Sequence, residues 1–200
     1  MIGWKTIQVD GSPMRIYLGV PDHPGPHPAV LVAHSRNGAD DLQMLDVVHR
    51  LYRQGYMAAV VEFYHRQSAD VDPLKRSGML NDHEIIADLN ATIAHLKTLS
   101  EPVGPIGICG FCMGGRVSYL AAATIKEIKA AAIFYGGNIM ITRGDGKGPS
   151  PFERSKDIHC PIIAFTGADD ENPSPADMKK ISEELTRLNK AHEFHLYLDT

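Results

Sequence analysis

The chain has 200 residues, 44% hydrophobic and 22% charged, with 24 acidic against 20 basic side chains and a formal charge of -4. That balance fits one globular domain with a sizeable core and supplies no basic stripe for phosphate backbones or anionic lipid, which argues against nucleic acid and membrane surfaces as partners. Three cysteines, no charged-then-apolar leader and no apolar run near the ~20 residues of a membrane span lead to the expectation of a cytoplasmic protein with reduced thiols.

"WKTIQVDGSPMRIYLGVP" alternates apolar and polar residues about Asp10-Gly11, the pattern of two strands joined by a hairpin turn. A proline-rich connection, "DHPGPHP", leads to "AVLVAH" (29–34), a continuous apolar run of strand length. Beyond polar "SRNGADD", Leu42, Leu45, Val48 and Leu51 recur at helical spacing up to Gly55. "MAAVVEF" (57–63) reads as the next strand, and "YHRQSADVDPLKRSGMLN" as a long polar loop of the kind that carries function. Ile85, Leu89, Ile93 and Leu96 mark one face of a second helix.

"PIGICGF" is a further apolar strand that runs into a helical "CMGGRVSYLAAAT". Strands are expected at 128–136, 161–167 and 193–198, with a helix over 175–190 and an irregular insertion, surface loop or lid, at 138–156. Strands alternating with helices imply right-handed crossovers. The expected fold is α/β: a mostly parallel sheet with helices on both faces and an antiparallel N-terminal hairpin at one edge.

Gly110-Phe111-Cys112-Met113-Gly114 has the form G-x-nucleophile-x-G between a strand and a helix. In such an elbow the central residue occupies a strained turn, and small residues two positions either side avoid the adjacent strand and helix. Cys112 would then sit at a helix N-terminus that favours thiolate, with the Met113 N–H directed at a developing oxyanion. The same letters spell Cys109-x-x-Cys112, so a dithiol oxidoreductase site and two core cysteines stand as competing readings. A single C-x-x-C is half a zinc site, so no metal is expected. Cys160, opening a strand, reads as a core residue.

These segments resemble the dienelactone hydrolase family (carboxymethylenebutenolidase-like) of the α/β-hydrolase fold: "YLGVP", "PAVLVAH", "LYRQGYMAAVVEFY", "ICGFCMGGR" and "PIIAFTGADDENPSP", with the cysteine elbow "GFCMGG" the specific part. The resemblance implies a Cys–Asp–His triad that attacks a small ester or lactone through an acyl-thioester, with no metal or organic cofactor. An acid belongs at the carboxyl end of strand 161–167. Family spacing, Gly167-Ala168-Asp169 and Pro173, favours Asp169, with Asp170 the alternative.

The family's histidine follows the last strand. His192 and His195 fall in or beside that strand rather than beyond it, so the base, and the helix that normally follows, are expected past Thr200. His34 belongs in the resemblance to the oxyanion loop, and His65 and His83 flank the long loop.

The resemblance also puts the second oxyanion N–H at Ser35-Arg36, with the Arg36 amide preferred. Where the best-known dienelactone hydrolases carry a glutamate that holds the resting thiol, this chain has Ser35. A substrate carboxylate would be met by arginine, with Arg36, Arg66, Arg76 and Arg116 as candidates and Arg76 preferred. Glu62 and Tyr64, at a strand's carboxyl end, are placed near the crevice. The expected protein is a monomer or small homo-oligomer, and the competing class is a non-catalytic binding or thiol-sensing protein on the same fold.

Overall fold

The computed structural model describes residues 1–198. The chain opens with β1 (Ile2–Val9) and β2 (Ser12–Gly19), joined antiparallel through Asp10 and Gly11, both at positive φ. β3 (His27–Ala33) is followed by α1 (Leu42–Arg53), β4 (Met57–Val61), the short α2 (Pro73–Arg76) and α3 (Asp82–Leu96). Then come β5 (Val103–Phe111), α4 (Met113–Thr124), β6 (Ile128–Phe134), β7 (Ile162–Gly167), α5 (Pro175–Arg187) and β8 (His192–Tyr197). The expected α/β order holds.

The strands form one sheet in the order β1-β2-β4-β3-β5-β6-β7-β8, with the hairpin at one edge and parallel pairing from β4 to β8. Helix starts follow local chemistry. Asp41 and Asn81 accept the N–H groups of Gln43 and His83, and Ser174 with Asp177 closes a capping box ahead of Pro175. By contrast, α4 begins at Cys112 with no side-chain cap, which leaves its first N–H groups unclaimed by a side chain.

One sheet face, with Leu31, Ala59, Ile108 and Ile133, packs against the buried stripes of α3, α4 and α5. The other, with Val32, Ala58 and Val60, packs against Met44 and Val48 of α1. The helix expected from Leu42, Leu45, Val48 and Leu51 is rotated from that stripe: Leu42 is exposed, and Met44 takes the buried position. Alongside α1 the second face bears a ladder of Phe111, Phe134, Phe165 and His195, with stacked rings 4.7, 4.9 and 5.2 Å apart. A cavity of about 750 Å³ lies against this face, lined by Val47, Leu51, Cys109, Phe111 and Phe134, and Cys112 does not line it.

The segment 64–81 departs from the simple loop expected of its polar composition. It folds into α2 and a 3-10 turn over Ser77–Met79, because Asp72 caps Leu74 and Pro73 supplies a helical φ at the first position.

Candidate active site

Cys112 has φ 55° and ψ -116°, a left-handed conformation unusual for a residue with a side chain, between the end of β5 and the start of α4. Its N–H bonds the Phe134 carbonyl of the next strand at 2.9 Å, and its carbonyl accepts from Gly115. The three glycines around it are sterically required. A Cβ on Gly110 would meet the Gly114 carbonyl and lie 2.7 Å from Ser118 Oγ. One on Gly114 would meet the Ala33 carbonyl and lie 2.7 Å from the His34 oxygen, and one on Gly115 would lie 2.7 Å from Gly136 Cα. The helix therefore crosses the ends of β3 and β6 at a distance that only glycine permits.

All three cysteines are free thiols, and their surroundings differ. Cys109 packs on the α1 side of the sheet, where burial pushes its thiol up to about 12. Cys160 is likewise raised by burial. Cys109 also lines the cavity on the α1 side of the sheet, which Cys112 does not, so the two thiols of the C-x-x-C have different surroundings.

The loop after β3 lies beside the elbow. Tyr64 donates its hydroxyl to the Arg36 carbonyl at 3.0 Å, and the same hydroxyl lies 3.5 Å from Met113 Sδ. One phenol thus touches both residues whose amides are the candidate oxyanion donors. Burial first, then Glu62, raises its pKa well above the usual tyrosine range, so it remains a donor. Glu62 accepts the Tyr64 N–H at 3.1 Å and lies 3.6 Å from Arg15 and 3.7 Å from His34 Nε2, so its carboxylate is held at the strand end. Ser35 Oγ accepts the Asn37 N–H at 3.2 Å.

Two of the arginines considered for substrate binding are occupied elsewhere, and that expectation is corrected for them. Arg116 is wholly buried and doubly bonded to Asp82 at 2.5 and 2.8 Å, and it also donates to the Asn138 and Ile141 carbonyls. Arg66 pairs with Asp88 at 2.7 Å, beside His65, itself 3.1 Å from Asp88. The Arg76 guanidinium lies 6.0 Å from the centre of the Tyr64 ring and donates to the backbone carbonyls of Ala69 and Val71. Arg36 is exposed, and so is His83.

Two neighbours of the elbow escaped the sequence reading. Tyr135 follows β6 at φ 40°, and burial first, then Cys112, Asp41 and Asp170, raises its hydroxyl. Its position just past a parallel strand's carboxyl end was a usable signal. Arg143, in the 138–156 insertion, donates to the Ser77 carbonyl, and its backbone N–H bonds Asp82 at 3.2 Å. Burial lowers its pKa first, and Tyr64 and Cys112 are among the groups that act on it. Nothing in the sequence of that irregular loop marked it.

Of the two aspartates after β7, Asp170 turns back on its own strand, accepting from the Gly167 N–H at 2.9 Å and the Thr166 hydroxyl at 3.1 Å. Asp169 is exposed. His192 bonds Ser182 and the Lys190 carbonyl, and His195 stacks on Phe165 and pairs with Glu193, so both are engaged at the strand as anticipated. The histidine expected past Thr200 lies outside the described residues.

A model of the dienelactone hydrolase family matches residues 14–200. A Synechocystis sp. protein provisionally named a carboxymethylenebutenolidase is 32% identical over 205 residues, covering 96% of this chain and 80% of its own. A Bradyrhizobium sp. protein, provisionally named a 2-oxo-3-(5-oxofuran-2-ylidene)propanoate lactonase, is 26% identical and covers 97% of this chain and 80% of its own. The crystal structure of a provisionally named dienelactone hydrolase from Klebsiella pneumoniae superposes with a TM-score of 0.89 at 26% identity, covering 100% of this chain and 86% of that one.

Proposed function

The chain belongs to the dienelactone hydrolase family, and on that premise we propose that it hydrolyses small esters or lactones with Cys112 as nucleophile. The observation that carries this reading is the backbone of Cys112, φ 55° and ψ -116°, held by Gly110, Gly114 and Gly115 at the uncapped start of α4. A fold keeps a strained residue there only where surrounding contacts enforce it, and the positive end of a helix favours an anion.

In the proposed reaction the Cys112 thiolate attacks the carbonyl carbon, and the negative oxygen is met by the Met113 and Arg36 N–H groups. Collapse of the adduct breaks the carbon–oxygen bond, and the leaving alkoxide takes up the proton that the Cys112 thiol gave up, which releases an alcohol or opens the lactone; water then cleaves the acyl-thioester to the carboxylic acid and restores the thiol. On the family spacing from Gly167 to Pro173, supported by the bonds from Gly167 and Thr166 to Asp170 Oδ2 that turn that side chain back on its own strand, Asp169 is preferred to Asp170 as the triad acid. Its partner would be a histidine past Thr200. His34 is unsuited to that role, since both ring nitrogens are already bonded.

With Ser35 where the resemblance expects a glutamate, no carboxylate at that position holds the resting thiol. Arg76, 6.0 Å from the centre of the Tyr64 ring, and Arg143, which also acts electrostatically on Tyr64, join exposed Arg36 as cations that could meet an anionic group on the substrate.

Iodoacetamide at pH 7, with peptide mapping, tests the nucleophile. Cys112 should alkylate at least about tenfold faster than Cys109 or Cys160, and Cys112→Ser should lower p-nitrophenyl acetate turnover by about 100-fold or more. Equal alkylation rates would favour a non-catalytic binding protein instead.

A further inference from the structure

His34 ends β3 and is fully buried, out of contact with solvent. Its ring lies against Phe63 and Tyr64, with centroids 5.1 and 4.9 Å away. The Phe63 N–H points at Nε2 at 3.2 Å. A backbone N–H only donates, so Nε2 must be the unprotonated nitrogen and the ring's one proton must sit on Nδ1. Nδ1 lies 2.6 Å from the Ser35 carbonyl oxygen, which makes that contact a donated hydrogen bond. Burial lowers the pKa of the ring and keeps it in this neutral form.

The Ser35 oxygen and the Arg36 N–H belong to one peptide unit. In a trans peptide the two bonds are coplanar and point in opposite directions, so fixing the oxygen aims the hydrogen. The same oxygen also accepts the Gly38 N–H at 3.2 Å, and the next peptide is held through the Arg36 carbonyl by Tyr64 at 3.0 Å.

We propose that His34 is a positioning residue of the oxyanion hole, holding through the Ser35 carbonyl the peptide plane from which the Arg36 N–H projects. This rests on the reading of Cys112 as nucleophile. His34 neither touches the substrate nor takes a proton. It connects the end of β4 to the loop after β3, and Tyr64 grips that loop one peptide further on.

The test separates two reactions of the same sulfur. Attack of Cys112 on p-nitrophenyl acetate forms a sulfur–carbon bond through a tetrahedral oxyanion. It then expels p-nitrophenolate, with the thiol proton lost to solvent and the acyl group left on sulfur. Alkylation by iodoacetamide displaces iodide and forms no oxyanion, so it reports the thiolate alone.

In the full chain, His34→Leu should slow the p-nitrophenolate burst by about tenfold or more, where complete loss of an oxyanion donor costs about 100- to 1000-fold. The alkylation rate should stay within about twofold. His34→Asn, whose amide nitrogen overlays Nδ1, should restore most of the burst. If His34→Leu does not fold, Tyr64→Phe is the second variant, with a smaller loss in the burst and unchanged alkylation expected.

An unchanged burst in His34→Leu, or in Tyr64→Phe where that variant stands in, overturns the proposal, as does an alkylation rate that falls in step with the burst. In Cys112→Ala a full burst would overturn the nucleophile reading and this inference with it. An inactive Cys112→Ala beside an unimpaired His34→Leu would overturn this inference alone.

Discussion

His34 also makes folding sensitive to acid. Its ordinary value is 6.5, and burial lowers it in the fold, opposed by Glu62 at 3.7 Å and by the more distant Asp40 and Asp41. Above about 6.5 the ring is neutral whether folded or not, and it contributes no pH dependence. Below that, the unfolded chain binds a proton that the native ring refuses, so each step down in pH favours unfolding, by at most about 1.4 kcal/mol per pH unit for one group. Urea midpoints at pH 7.5 and 5.0 should therefore fall further apart in the natural protein than in His34→Asn, where other titrating groups are common to both. An equal drop in the two would remove His34 from the account. The sequence placed His34 at a strand end but gave no sign of its tautomer, because both hydrogen-bond partners are backbone groups that are identical at every residue.

At the scale of elements, the junction of β5 and α4 rests on close backbone approach at Gly110, Gly114 and Gly115. Gly114→Ala would drive a methyl into the carbonyl groups of Ala33 and His34, neither of which can swing aside as a flexible side chain would. We expect it to destabilise the fold by roughly 3 kcal/mol or more, whereas Gly78→Ala, with open space around the added carbon, should stay within about 0.5 kcal/mol. Comparable urea midpoints for the two would mean that α4 docks more loosely than its glycines indicate. This junction was legible from the letters alone, because a backbone that forbids Cβ leaves glycine as the residue that fits. The segment 64–81 was less legible: one capping aspartate and one proline were enough to build α2, inside a composition that reads as loop.

Across the whole molecule, the Arg116–Asp82 pair joins parts far apart in the chain. Arg116 belongs to α4 and Asp82 to the first turn of α3, and the guanidinium and carboxylate together also hold the Asn138 and Ile141 carbonyls and the Arg143 N–H. The arrangement ties the elbow helix to the loop that brings Arg143 toward Tyr64. Removing one partner leaves a buried charge, so Asp82→Ala should cost about 3–5 kcal/mol. The double variant Arg116→Met with Asp82→Leu should recover much of that loss. A chemical-denaturation cycle reads the coupling, and strictly additive effects would show that the pair does not act as a unit.

Strand and helix order, the hairpin, the elbow at Cys112 and the small residues around it were determined by the sequence itself. Each follows from hydrophobic period or from a local backbone requirement that few residue types satisfy. Tertiary structure decided where several chemically equal side chains find their partners. Arg116 and Arg66 were drawn into buried pairs with Asp82 and Asp88, while Arg76 stayed beside Tyr64 and Arg143 joined it from an unpatterned loop. Asp170 turned back onto Gly167 and Thr166 and left Asp169 exposed, a difference in surroundings between adjacent identical residues that their hydrophobic pattern does not encode. The physical reason is the same in each case. A charged side chain settles where desolvation is offset by partners, and those partners are assembled by contacts distant in sequence.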